Sequence, residues 1–309
     1  MPTLEITTMV GCPLMCSFCP QTGLKAAYDK NQKYLSFDDF KCIINKVPKH
    51  LRIDFAGMSE PWANKNCTEM LRYALDMGFK VGIYSTLYGM TEDDSDIVIG
   101  LLQKYSAQVD VLCLHLPDSN GNMRGWKYSQ EWENVFIKFR RLKNEKAISR
   151  FEMMTMDGSG RVHDSLIHLN IKLGRWIGLT RAGSLDESKI NEQNFYKRTP
   201  HHNAAVTCRV TPFYDHNVVL PNGDVSVCCM DYNLKHIIGN LLTQDYCDLF
   251  KSDGMMRLRQ ANMAPEFSEC SICKSCAWAA TYSIGADARW SRDRRKLIDS
   301  IMDRLRIQI

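Results

Sequence analysis

The chain has 309 residues, 45% hydrophobic and 24% charged, enough for a substantial globular core in one large domain or two smaller ones. A formal net charge of +4 is too mild for a nucleic-acid-binding surface, and no run of eighteen apolar residues exists to cross a membrane. The chain enters a strand almost at once with no signal peptide before it, and its thirteen cysteines are odd in number and clustered; this argues against a disulfide framework and predicts metal ligation in a reducing cytoplasm.

Residues 4–10 alternate apolar and polar side chains and read as a first strand. The loop Gly11-Cys12-Pro13-Leu14-Met15-Cys16-Ser17-Phe18-Cys19-Pro20 follows, with cysteines at the spacing C-x3-C-x2-C. It supplies three thiolates and no fourth ligand nearby. A structural zinc site is closed by four protein ligands, whereas an iron–sulfur cluster on three thiolates keeps one iron open to another ligand. A helix then starts at the N-cap Ser36, with Asp39 three residues on and an apolar face of Phe40, Ile43, Ile44 and Val47.

The pattern continues in regular alternation. Residues 51–56, 80–86, 109–116 and 151–155 read as strands, 68–77, 91–105 and 129–146 as helices. A weak helical stretch near 164–170 precedes a sixth strand over 172–179. Strand–helix alternation with short joins predicts a parallel α/β sheet. In such folds the chemistry sits at the C-terminal ends of the strands. Several candidate residues occupy those ends: Gly57, Ser59 and Glu60 after the second strand, Ser85 and Thr86 at the third, His115 and Asp118 at the fourth, and Arg181 after the sixth. The loop 118–128, long for a strand–helix join, is a candidate substrate loop. Cys42, Cys67 and Cys113 lie singly in apolar patterns and read as buried thiols.

A polar linker spans 186–207 and includes the adjacent, solvated His201 and His202. Beyond it come Cys208, a hairpin turning at Pro221-Asn222-Gly223-Asp224, the pair Cys228-Cys229, a helix near 248–262, and Cys270, Cys273 and Cys276. Residues 286–309 read as a basic amphipathic helix, a packed terminal helix or a docking face for an acidic electron donor.

The three-cysteine loop after the first strand, with Phe18 just before its last cysteine, resembles the radical S-adenosylmethionine (SAM) enzymes. The segment Gly57-Met58-Ser59-Glu60-Pro61 resembles the family's Gly-Gly-Glu-Pro motif, with Met58-Ser59 departing from the usual second glycine. The resemblance implies a partial (β/α)6 barrel over residues 1–185. It also implies a [4Fe–4S] cluster on Cys12, Cys16 and Cys19, and SAM contacts from Phe18, Gly57, Ser59, Glu60, Ser85, Thr86, His115 and Arg181. The order of Cys208, hairpin, Cys228, helix and C-x2-C resembles the family's C-terminal SPASM or twitch module, over residues 208–285 here, a small α+β cluster domain. That implies a second, auxiliary [4Fe–4S] cluster on Cys208, Cys228, Cys273 and Cys276. Cys229 is an alternative to Cys228, Cys270 to Cys276, and zinc to the cluster.

The activity so implied is reductive cleavage of SAM to a 5′-deoxyadenosyl radical, which takes a hydrogen atom from a substrate. The leading expectation is oxidation or epimerisation of a small sugar- or aminocyclitol-like molecule, with flavodoxin or ferredoxin as electron donor and neither nucleic acid nor membrane as partner. Cys247 is the candidate hydrogen-donating thiol for epimerisation. The alternatives are a peptide-modifying maturase and a zinc-stabilised interaction protein.

Overall fold

Short runs rich in Val, Ile, Leu and Phe form the strands of one eight-stranded sheet in the computed structural model, which describes residues 1–145, 147–156, 160–174, 178–185, 196–197 and 199–282. The basic helix expected over 286–309, and half of the linker, lie outside the described residues. The first five strands are β1 (Thr3–Ile6), β2 (Arg52–Phe55), β3 (Val81–Ser85), β4 (Val109–Leu116) and β5 (Phe151–Thr155). They pair in parallel in that order, through registers such as Ile6 with Phe55 and Ser85 with Leu114. This is the parallel α/β architecture that the alternation predicts.

The helices form where their caps and apolar faces agree. Helix α1 (Gln21–Ala27) follows the cysteine loop directly. In α2 (Phe37–Asn45) the Ser36 hydroxyl accepts the Asp39 N–H at 3.0 Å, so the predicted cap is present. Helices α3 (Cys67–Asp76), α4 (Glu92–Lys104) and α5 (Gln130–Asn144) complete the layer. Thr91 and Asp94 close a reciprocal capping box at the start of α4. Leu4, Ile6, Ile53, Phe55, Ile83 and Leu112 pack on one side of the sheet in the same core as Phe40, Phe136 and Phe139 of the helices. Alternation sends Glu5 and Asp54 to the other side, and a register shift between Val109 and Val111 turns Asp110 there as well. There Arg52 pairs with Asp54 at 2.6 Å and Asp110 at 3.3 Å, while His216 meets Glu5 at 2.8 Å. The sheet is thus apolar toward the helices and polar on its opposite face.

Two expectations are corrected. The sixth strand does not join the sheet. Among the described residues of 172–179 only Gly178–Leu179 is strand, and it pairs with Tyr196–Lys197; the segment touches β5 through the Gly174 N–H on the Met153 carbonyl at 2.7 Å. On the other edge, the hairpin of the C-terminal module supplies the missing neighbour. Its strands β6 (His216–Val219), β7 (Asp224–Ser226) and β8 (Ile237–Asn240) extend the sheet, with β6 parallel to β1. The second correction concerns side chains: Cys67 and Cys113 are buried, but Cys42 is exposed on α2. The expected helix near 248–262 is present as a short 3₁₀ helix, Tyr246–Lys251, followed by α6 (Asp253–Met263). Among the described residues no helix is long and apolar enough to cross a membrane.

Candidate active site

The cysteine loop caps the C-terminal end of β1, and its shape comes from neighbours on the next strands. Its Ser17 N–H donates to the Asn122 carbonyl at 2.8 Å, and Met15–Cys16 pairs with Met123–Arg124 in a two-residue ladder. The loop 118–128 therefore docks on the cysteine loop. Gly125 makes that approach feasible, since a Cβ there would stand 2.9 Å from the Pro13 carbonyl oxygen at a φ of +88°. Asp118 holds the turn by accepting from the backbone N–H groups of Asn120 (2.9 Å) and Asn122 (3.1 Å).

The three thiols lie near enough for their charges to act on one another. Burial pushes Cys12 up to about 11, and it pushes Cys16 up further, with the charges of Cys19 and Cys12 acting next on Cys16. Donors point at two of the sulfurs: the backbone N–H groups of Glu60 and Leu14 at Cys12, and Gln21 Nε2 at Cys19, 3.2 Å away. Phe18 is buried beside them.

Glu60, Ser85 and Thr86, singled out separately in the sequence, form one hydrogen-bonded unit. The buried Glu60 carboxylate accepts from Ser85 Oγ, the Thr86 N–H and Thr86 Oγ1, each at 2.7 Å, and from the Trp62 N–H at 3.4 Å. The carboxylate is therefore occupied within the chain. Burial raises its pKa while these donors oppose the rise. Gly57 answers to packing: at φ +58° a Cβ would lie 2.5 Å from Thr7 Oγ1 and 2.7 Å from the Thr7 nitrogen. His115 stands half-buried near the end of β4, driven down to about 4 by burial and then by the charge of Arg181. Arg181 itself stacks over the Tyr232 ring at 5.5 Å.

Among the described residues, four buried side-chain polar atoms lack a hydrogen-bond partner: Gln21 Oε1, Ser59 Oγ, Asp118 Oδ2 and Trp126 Nε1. All four belong to segments that meet the cysteine loop. Gln21 reaches Cys19, Ser59 lies between the Gln21-bonded Met58 and Glu60, Asp118 acts electrostatically on Cys16, and Trp126 packs against the cluster of Cys12, Leu14 and Met123. Such atoms are expected where a polar ligand completes the site.

The second cysteine set is also drawn together. Cys273 feels Cys276 and Cys208, and Cys228 feels Cys273. Each of these four sulfurs meets a donor: Thr211 N–H at 3.3 Å for Cys208, Met230 N–H for Cys228, Asn262 and Ser271 side chains for Cys273, and Trp278 N–H at 3.4 Å for Cys276. Donors of this kind stabilise thiolates and tune iron–sulfur clusters. Cys67 and Cys113 have no such donor acting on them among the described residues. Cys229 differs again. It faces the Glu5 carboxylate, an acceptor, with Arg181 beyond, and burial and that carboxylate keep it a thiol. Cys270 is exposed. No three His, Cys, Asp or Glu side chains among the described residues gather as tightly as one metal ion requires.

The structure leaves Cys247 out of both groups; it lies in the short 3₁₀ helix after Asp245, an element that packs on β8 and α6. The linker histidines are packed too: His201 stacks on Phe267 at 3.6 Å and His202 Nε2 meets the Cys276 carbonyl at 3.2 Å. Sequence reasoning missed the roles of Gln21, Trp126 and Tyr232, which meet the cysteine loop by side-chain contacts that no spacing announces, and of Thr7, whose Oγ1 accepts the Met58 N–H.

A family model described as an iron–sulfur cluster-binding domain, SPASM, matches residues 208–277. No curated protein matches the chain. Among solved structures the chain is similar to BtrN in complex with AdoMet and 2-DOIA, at 16% identity over 93% of this chain and 96% of that one, with a TM-score of 0.54. It is also similar to BtrN in an open conformation (15% identity, 90% and 92% covered, TM-score 0.51). A third similar structure is native anSMEcpe with bound AdoMet and Cp18Cys peptide (14% identity, 90% and 87% covered, TM-score 0.50). At these identities the likeness establishes the fold.

Proposed function

We propose that this chain, a radical SAM protein with a C-terminal SPASM domain, is an enzyme that removes a hydrogen atom from a small hydroxylated or amino-substituted ring and oxidises it. In this reading Cys12, Cys16 and Cys19 hold a [4Fe–4S] cluster, and SAM lies against Phe18, Gly57, Ser59, Ser85, Thr86, His115 and Arg181, with Glu60 holding Ser85 and Thr86 in place. Cys208, Cys228, Cys273 and Cys276 hold the auxiliary cluster. When bound, these groups supply the one-electron chemistry, with flavodoxin or ferredoxin as reductant.

The observation that carries the assignment is the donor placed at each of the four auxiliary sulfurs, against the acceptor placed at Cys229. The chain's own residues support a small polar substrate. The helix-free face of the sheet is polar, with Glu5 paired to His216 and Arg52 to Asp54, a lining that suits a hydroxylated or amino-substituted molecule better than an apolar one. Glu5, between His216 Nε2 and the Cys229 thiol, is the carboxylate there that accepts the proton a hydroxyl sheds on oxidation. The loop 118–128, seated on the cysteine loop, excludes water from this end. The solved BtrN complex with 2-DOIA favours the same substrate class. A peptide substrate is the second reading, favoured by the anSMEcpe complex with a peptide.

The test is anaerobic incubation of cluster-loaded protein with SAM, a reductant and either 2-DOIA-like aminocyclitols or cysteine-containing peptides. We expect 5′-deoxyadenosine and a ring product two mass units lighter. Peptide turnover alone would replace the first reading by the second. In parallel, Cys228→Ala should lose about half of the iron, four of eight atoms, and Cys229→Ala none; the reverse would overturn the ligand set.

A further inference from the structure

The segment bearing Cys228 reaches further than the auxiliary thiols. Its turn is fixed by the buried Asp231, which accepts from the N–H groups of Lys235 (2.9 Å) and His236 (2.7 Å) and from Ser226 Oγ (3.3 Å). That turn sends Tyr232, only 3% exposed, into the cluster of Val10, Leu24, Tyr28, Met58, Val218 and Leu220, against which Cys19 also packs. The Tyr232 hydroxyl oxygen lies 3.4 Å from Cys19 Sγ, a contact between residues 213 apart in sequence. Gln21 Nε2 approaches the same sulfur at 3.2 Å. A ligating thiolate has no proton to give, so the phenol is the donor in this pair. Arg181, stacked over the ring, fixes its orientation.

We infer that Tyr232 is a positioning residue for the cluster on the N-terminal loop: its O–H donates to the Cys19 sulfur, so the SPASM segment sets that cluster's reduction potential. A hydrogen bond to a cluster sulfur stabilises the more negative, reduced state and so raises the potential. The inference rests on Cys12, Cys16 and Cys19 holding a cluster, as proposed above.

The experiment is a redox titration of the cluster-loaded protein followed by electron paramagnetic resonance. The signal to follow is the one lost when Cys12, Cys16 and Cys19 are all replaced by Ala. Tyr232→Phe keeps the ring, the stacking and the core volume and deletes only the hydroxyl. We expect that signal to keep its full iron but to titrate at a more negative midpoint with altered g values. Tyr246→Phe, whose hydroxyl bonds Asn217 instead, should leave the midpoint in place. An unchanged midpoint and spectrum in Tyr232→Phe, with the iron retained, would overturn the inference. A spectrum indifferent to the triple cysteine replacement would overturn the cluster assignment itself, a separate outcome.

Discussion

Replacing Glu60 by Gln probes the hydrogen-bonded unit that holds β2 to β3 at the site. The substitution preserves volume, so no cavity term enters. Three short bonds, from Ser85 Oγ, Thr86 N and Thr86 Oγ1, each at 2.7 Å, change from charge-assisted to neutral or must be reversed. Hydroxyl groups can turn to accept from the new amide, but the Thr86 N–H cannot, so the Gln oxygen must face it. A bond to a charged acceptor contributes about 1 kcal/mol more than a neutral one, so three give a loss of about 3 kcal/mol. Urea unfolding of the cluster-loaded protein under argon measures it. A loss below about 1 kcal/mol would refute the reasoning, because it would mean that the buried carboxyl is already protonated and Gln simply replaces it. SAM affinity should follow a different rule. Ser59→Ala removes the unpartnered hydroxyl and should weaken SAM binding with little cost in stability, measured by anaerobic equilibrium dialysis.

His115, held near 4 in the fold, gives a pH signature. The unfolded chain takes a proton below about 6.5 while the folded chain resists it until about 4, so stability falls as pH drops through that window. The expected loss at pH 5 is about 2 kcal/mol, and His115→Asn should abolish that share; equal pH slopes for the two proteins would sink the assignment. Gly57→Ala places a methyl group against the Thr7 backbone at a left-handed φ and should cost about 2–4 kcal/mol, read from thermal or urea unfolding; a neutral effect would contradict the packing.

The periodic part of the fold was legible because its causes are local. Ser36 and Thr91 cap their helices, and Leu4, Ile6, Ile53 and Phe55 alternate with polar residues, so the parallel sheet could be read without contacts. The cysteine spacing likewise carried the resemblance to the radical SAM enzymes. The strand over 172–179 failed because its apolar pattern does not say which partner it pairs with. Tyr232, Gln21 and Trp126 were invisible for a related reason: each meets the cysteine loop through a side chain whose direction tertiary packing decides. Cys247 is marked in the sequence only by being needed for neither cluster, which carries no information about its place. The choice between Cys228 and Cys229 turned on donors and acceptors around them, and alternation along a strand could at most say that they point apart.

The pairing of β6 with β1 has a kinetic consequence. β1 leaves the ribosome long before β6, and one of its edges waits for a strand about 210 residues downstream. At about 5–20 residues per second, that edge stays open for roughly 10–40 s of synthesis. A row of unpaired N–H and C=O groups beside buried Leu4 and Ile6 is a template for stray strands during that time. The contact is also among the most distant in the chain, which slows closure. Truncation before residue 216 should therefore yield an aggregation-prone chain, and slow translation at low temperature should favour soluble protein. In this topology a strand made early is sealed by one made much later.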